Sequence, residues 1–423
     1  MPSKVILAYS GGLDTSVAIP WLKENYGLEV ITLTADLGGQ DGRSDVKERA
    51  IESGASKSIV VDGKADFVKG FVFPALKAGA IYQGQYSLAT ALGRPLIARY
   101  LLDVAHKEGA EAVAHGCTGK GNDQVRFDLS IAGMDPELKI IAPAREWNMS
   151  REQELEYGRR KNITLDFAKK SPYSIDENLW GRSIEAGDLE DPWKEPPEDA
   201  FALTKSVALA PDDPTYVEIH FENGIPQSIK DDKGSVDILS DGNSIDAVNI
   251  IQTLNDLAGS HGIGRVDHLE DRLVGIKSRE IYEAPAATVL HIAHKAIEGM
   301  TLSKDQIRLK ERISQEYAEH VYNGLWYTHL HQDLQAYVEN TQRYVTGDVR
   351  IKLFKGTCSV VGRSSLFSLY QHDLATYDTG DKFNHLASEG FIHIYGLSGR
   401  TQADIQPNQL PKLSGSEQIN TET

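Results

Sequence analysis

The strongest constraint on the fold is an alternation, in the first half of the 423-residue chain, between short apolar runs and helical patterns. Five apolar runs predict strands, at 5–9, 29–35, 57–61, 111–116 and 138–142. Helical patterns lie at 15–26, 43–53, 65–78, 94–107 and 151–161. Because strands that alternate with helices form βαβ units, we expect a parallel sheet. Pro20 lies inside the first helical pattern and predicts a kink or a displaced start there.

From about residue 165 the pattern changes to that of an α+β region. The acidic, Pro-rich segment 188–199 predicts a loop or linker. Two strands on either side of Glu-Asn-Gly, the first at 215–221, and two more at 349–354 and 357–362 predict antiparallel hairpins. Helices are expected at 244–258 and 303–323, the second with a capping box at its start. Beyond Gly399 the sequence is a polar tail.

Charge and cysteine content exclude several classes of protein. The formal charge is 44 − 61 = −17, and no run of Lys or Arg offers a basic patch, so we expect no nucleic-acid partner. Two cysteines, Cys117 and Cys358, favour a reducing compartment and argue against zinc or iron–sulfur sites. The first apolar run is too short for a signal sequence, and no segment is apolar enough to span a membrane. We therefore expect a cytoplasmic protein with no membrane partner.

The segment 9–16, with the sequence YSGGLDTS, follows a predicted strand and opens a helix. Paired glycines allow a ligand to approach the backbone, the helix start offers unpaired N–H groups, and Ser10, Thr15 and Ser16 add hydroxyls. This pattern indicates a cradle for an anion such as pyrophosphate, although it is neither a Walker A loop nor a dinucleotide fingerprint. A plain turn before a helix would explain the Gly-Gly pair alone, but the whole string favours the phosphate loop.

A second polar string, HGCTGKGNDQVRF at 115–127, forms a loop directly after a predicted strand, where open α/β sheets bind their ligands. Its mixed side chains suit an amino-acid zwitterion: Asp123 could receive an ammonium group, and Thr118 and Asn122 could hold carboxylate oxygens. Glycine density alone would favour a solvated polar turn.

The string 9–16 resembles the PP-loop of the N-type ATP pyrophosphatases. Further strings, at 8–16, 85–95, 115–127, 174–179, 183–187 and 275–285, resemble the argininosuccinate synthase family and keep the order of its motifs over about residues 4 to 400. The resemblance implies an ATP-dependent C–N ligase of arginine biosynthesis. The ureido oxygen of L-citrulline attacks the α-phosphorus of MgATP, giving citrullyl-AMP and pyrophosphate, and the amine of L-aspartate then displaces AMP to give argininosuccinate. The Mg²⁺ would be carried by the nucleotide, with no dedicated metal site in the protein.

The resemblance also implies the domain organisation and the assembly. An ATP pyrophosphatase domain at 1–165, with the Rossmann-like parallel sheet of the adenine nucleotide alpha hydrolases, would bind the nucleotide. An α+β synthetase domain at 166–362 would bind substrates and contribute to multimerisation. A C-terminal oligomerisation arm with helices and a polar tail would cover 363–423. The family is homotetrameric, so the same assembly is expected.

The residues that match the family's site positions form three sets. The ATP set is Ala8, Tyr9, Ser10, Gly11, Gly12, Leu13, Asp14, Thr15, Ser16, Ala35 and Gly116. The aspartate set is Thr118, Asn122 and Asp123. The citrulline set is Tyr86, Asn122, Arg126, Ser174, Ser183, Glu270 and Tyr282. Asp14, Asp123 and Arg126 are the candidate catalytic residues. Two positions depart from the family: Ala91 replaces a usual serine and Asp128 a usual glutamate.

Two other classes of function are weighed against this one. A PP-loop enzyme that thiolates tRNA would need catalytic or zinc-binding cysteines and a basic face, and an amidotransferase-linked synthetase would need a glutaminase domain or partner. A nucleotide sensor without catalysis would need the ATP strings only. Citrulline-dependent pyrophosphate exchange would discriminate among them.

Overall fold

The computed structural model describes residues 3–39, 45–147, 149–163, 172–231 and 246–406. The chain divides into two compact units, Met1–Leu369 and Tyr370–Thr423. The predicted domain boundary at 165 lies outside the described residues. The predicted limits of the three domains therefore stay a prediction.

A five-stranded parallel sheet forms the first half of the larger unit, as predicted. Its strands are β1 (Lys4–Ala8), β2 (Glu29–Asp36), β3 (Lys57–Asp62), β4 (Ala112–Ala114) and β5 (Lys139–Ile141). They lie in the order β3-β2-β1-β4-β5, and every neighbouring pair is parallel. The helices are α1 (Leu13–Tyr26), α2 (Val46–Glu52), α3 (Lys64–Phe67), α4 (Phe73–Ala78), α5 (Ala89–Glu108), α6 (Asn122–Met134), α7 (Pro143–Glu146) and α8 (Arg151–Arg160). A π-helical turn, Val68–Val72, joins α3 to α4.

Two of these helices differ from the prediction in instructive ways. Helix α5 begins at Ala89, five residues before the predicted start at 94. The cause is a cap outside the helical pattern: the hydroxyl of Tyr86 accepts the N–H groups of Thr90 (2.9 Å) and Ala91 (3.3 Å). Helix α1 begins at Leu13, two residues before the predicted start at 15, and continues through Pro20 to Tyr26.

The prediction that 115–127 is a loop was wrong from residue 122 onward, where α6 begins. Its first turn carries Asn122 and Asp123, and acidic and amide side chains are common at helix starts. Phe127 and Ile131, four residues apart, form the buried side. The polar content of the string hid this spacing.

Two antiparallel sheets and four long helices complete the larger unit. The elements are β6 (Ser174–Asn178), β7 (Gly181–Glu185), β8 (Thr215–Glu222), β9 (Ile225–Asp231), α9 (Ala247–Ser260), β10 (Arg265–Asp271), β11 (Lys277–Glu283), α10 (Pro285–Thr301), α11 (Lys304–Tyr322), α12 (His329–Thr341), β12 (Gly347–Phe354) and β13 (Thr357–Ser364). The sheets have the orders β10-β11-β7-β6 and β13-β12-β8-β9. The segment 188–199 has no α-helix or strand, as predicted.

Two local predictions in this region are confirmed. Ser303 and Gln306 form the capping box of α11, each side chain accepting the other's backbone N–H. The β12–β13 turn consists of Lys355 and Gly356, both with positive φ (41° and 79°), as the mirror-image turns of two-residue hairpins require. The predicted start of α9 at 244 lies outside the described residues, and the helix begins at Ala247.

The largest hydrophobic core contains side chains from both halves of the larger unit. Leu37, Phe67, Leu92, Trp180, Leu290 and Val349 all belong to it. Because one core joins them, the parallel sheet and the β6–β7 hairpin hold fixed positions relative to each other.

The smaller unit is helical, with α13 (His372–Ala375), α14 (His385–Tyr395) and α15 (Leu397–Ile405). None of its described residues is buried, and several apolar side chains are exposed, among them Tyr377, Leu386, Phe391 and Ile394. The first part of the predicted polar tail is therefore helical, and residues 407–423 lie outside the described chain. Within the described residues, every helix is too short or too polar to cross a membrane.

Glu283, at the end of β11, is a fully buried carboxylate. It accepts the backbone N–H groups of Ala202, Leu203 and Thr204 (2.8–2.9 Å), the Thr204 hydroxyl (2.7 Å) and Arg182 Nη1 (2.9 Å). It thereby fixes residues 202–204 to the strand that also carries Tyr282.

Replacing Glu283 with Ala should lower the free energy of unfolding by about 3–5 kcal/mol, because the buried Arg182 cation and three amides lose their acceptor. Urea denaturation followed by tryptophan fluorescence measures the change. The control is Glu218→Ala, at an exposed position of β8, which should stay within about 0.5 kcal/mol of the parent chain. Equal effects of the two substitutions would contradict this role of Glu283.

Candidate functional site

The strand order reverses between β1 and β4, so the loops that leave their carboxyl ends diverge and open a crevice between them. One loop is 9–12 and the other begins at His115. The second loop contacts the first turn of α1, directly after the first loop: a Cβ on Gly116 would lie 2.9 Å from Thr15 Cγ2. Only glycine at position 116 allows this approach, which brings the two polar strings of the sequence together.

The first loop delivers the open N-terminus of α1 to this crevice. The first intrahelical bond runs from Ser16 N–H to Gly12 C=O (3.0 Å), so the amides of Leu13, Asp14 and Thr15 precede it. Gly12, at the N-cap position, has no side chain to accept them. Unpaired amides at the positive end of a helix dipole are donors of the kind that bind anions.

Hydrogen bonds on the far side of the loop hold it in shape. Arg49 Nη1, from α2, donates to the carbonyl of Gly11 (3.1 Å). Ser10 Oγ accepts the N–H of Gly12 (3.3 Å) and pairs with Thr15 Oγ1 (3.1 Å). The loop therefore has its shape before any ligand binds, which lowers the cost of binding.

The two glycines of the loop have different roles. Gly11 has φ +80°, and a Cβ there would lie 3.2 Å from Val46 Cγ2 and 3.3 Å from Arg49 Nη2, so the fold itself requires glycine. Gly12 has φ −79°, and the atom nearest to a Cβ at this position would be Ser10 Oγ, at an ordinary 3.4 Å. The fold itself has room for a Cβ at Gly12, and the absence of a side chain there keeps the space in front of the loop open.

A cavity of about 280 Å³ lies in front of the loop. Eight of the eleven residues predicted to contact ATP line it: Ala8, Tyr9, Ser10, Gly12, Asp14, Thr15, Ala35 and Gly116. Gly11, Leu13 and Ser16 do not line it; Leu13 is buried, and Ser16 Oγ pairs with the Tyr9 hydroxyl (2.9 Å). Part of the wall is apolar and suits a flat base, with Leu33, Leu37, Ile97 and Phe127.

A second cavity of about 420 Å³ adjoins the first and shares Ser10, Asp14, Arg94, Gly116, Cys117 and Asp176 with it. All residues predicted for citrulline and aspartate line this cavity: Tyr86, Thr118, Asn122, Asp123, Arg126, Ser174, Ser183, Glu270 and Tyr282. They come from α6, β6, β7, β10, β11 and the loops before α5 and α6. The structure thus brings together residues that are up to 196 positions apart in the chain.

Arg94, which was not predicted to belong to the site, lies where the cavities meet. Its Nη2 donates to Asp123 Oδ2 (2.8 Å) and Asp176 Oδ2 (2.6 Å), and Asp123 Oδ1 accepts Arg126 Nη1 (2.8 Å). Burial alone would raise the pKa of Asp123, but the two guanidinium groups outweigh it and lower this pKa to about 2. The signal in the sequence was the position of Arg94 within the matching string 85–95.

A buried carboxylate closes the far end of the second cavity. Glu270 accepts the hydroxyls of Tyr282 (2.6 Å) and Tyr322 (2.5 Å). Tyr282 stacks on Tyr86 with ring centroids 4.2 Å apart. Burial raises the pKa of both the Tyr86 and the Tyr282 hydroxyls, so they remain protonated at neutral pH. Arg126 Nη2 is buried and has no hydrogen-bond partner among the described residues, which leaves one donor for a ligand.

Three charged residues in the second cavity were also missed. Arg272 Nη2 bonds to the carboxylates of Glu185 and Glu280. Burial, together with the nearby Glu185 charge, raises the pKa of Glu280. All three line the cavity, and they lie on β7, on β11 and in the β10–β11 turn. Glu185 and Glu280 lie within the matching strings 183–187 and 275–285 but were not assigned to the site, and Arg272 lies outside those strings.

The structure shows what surrounds the two residues that depart from the family pattern, Asp128 and Ala91. Asp128 accepts His115 Nε2 (2.8 Å) and Arg145 Nη1 (2.6 Å). Although burial opposes it, these hydrogen bonds lower the pKa of Asp128. His115 Nδ1 accepts the Cys117 N–H (3.2 Å), which fixes the loop, and Ala91 is fully buried behind Tyr86.

Asp14 lines both cavities and forms no hydrogen bond or ion pair with the described residues. In that part of the chain, no group of three or more His, Cys, Asp or Glu side chains is arranged to hold a metal ion. A cation that enters with a ligand would therefore meet one free carboxylate here.

The ion pairs that Asp123 forms with Arg94 and Arg126 predict how the free energy of unfolding depends on pH. A carboxylate with a lowered pKa stabilises the fold above its unfolded pKa of about 4, and this contribution is lost as the pH falls towards about 2. The difference in unfolding free energy between the parent chain and Asp123→Asn should therefore be constant from about pH 7 to pH 5 and shrink below about pH 4. Urea titrations across this range measure it. A difference that stays the same down to about pH 2 would contradict this role of the ion pairs.

Comparisons with known proteins agree with this geometry. A family model described as the arginosuccinate synthase N-terminal HUP domain matches residues 4–164, and one described as the arginosuccinate synthase C-terminal domain matches residues 173–402. A Dehalococcoides mccartyi protein named argininosuccinate synthase is 52% identical over 407 residues, which cover 96% of this chain and 98% of that protein. Proteins of the same name from Gloeobacter violaceus and Thermosynechococcus vestitus are 53% identical over 404 and 402 residues, each covering 95% of this chain and 99% and 98% of the relatives.

The two family models together match most of the chain, and their boundary falls between the parallel sheet and the first antiparallel strand. The relatives are about half identical to this chain over nearly its whole length. The chain therefore belongs to the argininosuccinate synthase family, whose members are ATP-dependent ligases.

Proposed function

We propose that this chain joins L-citrulline and L-aspartate to form argininosuccinate, with ATP converted to AMP and pyrophosphate through a citrullyl-AMP intermediate. The observation that carries this proposal is the pair of adjoining cavities at the sheet's reversal point. One has an open helix N-terminus and an apolar wall, as a nucleotide requires. The other is lined by charged and hydroxyl groups of both signs, as amino acids require.

In the first step, the ureido oxygen of citrulline attacks the α-phosphorus and pyrophosphate leaves. The free amides of Leu13, Asp14 and Thr15 would hold the departing phosphates and stabilise their charge. The nucleotide's Mg²⁺ would neutralise part of the same charge, and the Asp14 carboxylate is a suitable oxygen ligand for it. Catalysis here would come from alignment and fixed donors, without a covalent bond to the protein.

Citrulline would lie with its amino-acid head between Arg126 and Glu270. The unpartnered Arg126 Nη2 would donate to its carboxylate, and Glu270 would accept from its ammonium group. The hydroxyls of Tyr86, Ser174 and Ser183 would orient the rest of the molecule. This arrangement directs the ureido group toward Arg94, where the two cavities meet.

In the second step, the amine of aspartate attacks the activated ureido carbon and AMP leaves. Thr118 and Asn122 would hold the carboxylates of aspartate, and Asp123 would receive its ammonium group, which would release a proton to solvent before the amine attacks. Asp123 suits this role because its two guanidinium partners keep it ionised. Asn122 also holds the β10–β11 turn in place, since its Oδ1 accepts the Leu273 N–H (3.0 Å).

The assembly, the domains and the compartment are part of the same proposal. The exposed apolar side chains of the smaller unit support a C-terminal oligomerisation arm at 363–423 and a homotetramer. We assign nucleotide binding to 1–165 and substrate binding to 166–362. Both cysteines are free thiols, which supports a reducing, cytoplasmic location.

The reaction is tested by isotope exchange without aspartate. The chain, MgATP, citrulline and labelled pyrophosphate should give labelled ATP, because the first step is reversible and needs no aspartate. Omitting citrulline is the control and should abolish the label in ATP. Exchange that requires a different acceptor would overturn the substrate, and nucleotide binding without exchange would favour a sensor.

The assignment of the aspartate pocket is tested with Thr118→Val. Thr118 is exposed in the second cavity, and valine preserves its shape while removing the hydroxyl. We expect the KM for aspartate to rise about tenfold, the order of one hydrogen bond to a charged group, while citrulline-dependent exchange stays within about twofold.

The matched control is Thr253→Val, which changes a threonine on α9 that lines neither cavity. It should leave both measurements unchanged. If Thr118→Val reduces exchange as strongly as argininosuccinate formation, Thr118 has been assigned to the wrong substrate.

A further inference from the structure

Tyr322, the last residue of α11, lies behind the substrate cavity and is not part of its lining. Its side chain is 1% exposed. Nothing in the sequence connects it with the site, since the residues it contacts at positions 122 and 126 are about 200 positions away. Its contacts nevertheless converge on three residues of the proposed citrulline pocket.

The hydroxyl of Tyr322 links two of these residues. It donates to Glu270 Oε1 (2.5 Å) and accepts from Asn122 Nδ2 (2.8 Å). Glu270 Oε2 is held by the Tyr282 hydroxyl, so each carboxylate oxygen has one phenol as donor. Two donors on opposite oxygens fix the plane of the carboxylate, and each oxygen keeps a lone pair for a ligand.

The rest of Tyr322 holds the third residue. Its backbone carbonyl accepts Arg126 Nε–H (2.8 Å), and its ring lies 4.8 Å from the Arg126 guanidinium carbon. Two residues later, a Cβ on Gly324 would lie 2.6 Å from Arg126 Cα, so the chain after α11 packs directly on α6. The Tyr322 ring also stacks on Tyr82 with centroids 3.6 Å apart.

We propose that Tyr322 is a positioning residue that sets the distance between Arg126 and Glu270, the cation and the anion that bind the amino-acid head of citrulline. The inference rests on the proposed function and adds a residue to it. Burial and the nearby Glu270 charge raise the pKa of Tyr322, so the hydroxyl stays a donor at neutral pH. Through Tyr322, the end of α11 becomes part of the citrulline site without touching the substrate.

Tyr322→Phe tests this with the smallest change. Phenylalanine keeps the ring, its stacking and the backbone carbonyl, and it removes only the hydroxyl that joins Glu270 to Asn122. In the exchange assay, we expect the KM for citrulline to rise about tenfold and the KM for ATP to stay within about twofold. A merely structural role would not separate the two substrates.

Tyr317→Phe is the matched control. Tyr317 lies on the same helix, is fully buried, and its hydroxyl donates to Gln335 Oε1 (2.7 Å), away from both cavities. It should leave both KM values unchanged. An unchanged citrulline KM in Tyr322→Phe, or an equal rise in Tyr317→Phe, would overturn the proposal.

A double-mutant cycle with Glu270→Gln shows whether the hydroxyl acts through the carboxylate. Once Glu270 is replaced, Tyr322→Phe should raise the citrulline KM by less than about threefold, because the group it positions has lost its charge. Fully additive effects would contradict the proposal. If the parent chain shows no citrulline-dependent exchange, the proposed function itself is rejected, and this inference with it.

Discussion

The contact between Gly116 and Thr15 is the constraint on which the site depends. It exists because β1 and β4 are adjacent and parallel, so the chain segments leaving them start side by side. A Cβ at position 116 would crowd Thr15 Cγ2, so the two segments would have to move apart. The open start of α1 would then no longer lie beside the second cavity.

Most charged side chains that line the second cavity form hydrogen bonds or ion pairs with one another or with phenol hydroxyls. Its lining includes six carboxylates and three guanidinium groups. Arg94 joins two of the carboxylates, Arg272 joins two more, and the phenols of Tyr282 and Tyr322 hold Glu270. What remains for substrates is a small set of free groups, mainly Asp14 and one nitrogen of Arg126. Such a cavity is ordered before the substrates bind, which favours alignment over induced rearrangement.

The parallel sheet, the hairpins and the capping box were predictable from the sequence, because each depends on neighbours within a few residues. The start of α5 was misplaced because the cap there is a tyrosine hydroxyl, which no helix-start pattern includes. Helix α6 was taken for a loop because its polar first turn hides the buried Phe127 and Ile131. Most of the predicted site residues belong to strings that resemble the family, but Arg94 and Glu280 were not predicted although they lie in such strings. Arg272 and Tyr322 were missed because their roles arise from contacts across the fold, for which a single sequence carries no signal.

A crystal structure with ATP and citrulline bound would test the arrangement of the two cavities directly. We predict that the β and γ phosphates lie at the start of α1, within hydrogen-bond distance of the amides of Leu13, Asp14 and Thr15, with the α-phosphorus near Arg94 and facing the ureido oxygen. A triphosphate bound elsewhere, with the helix start filled by protein side chains or left empty, would contradict this prediction.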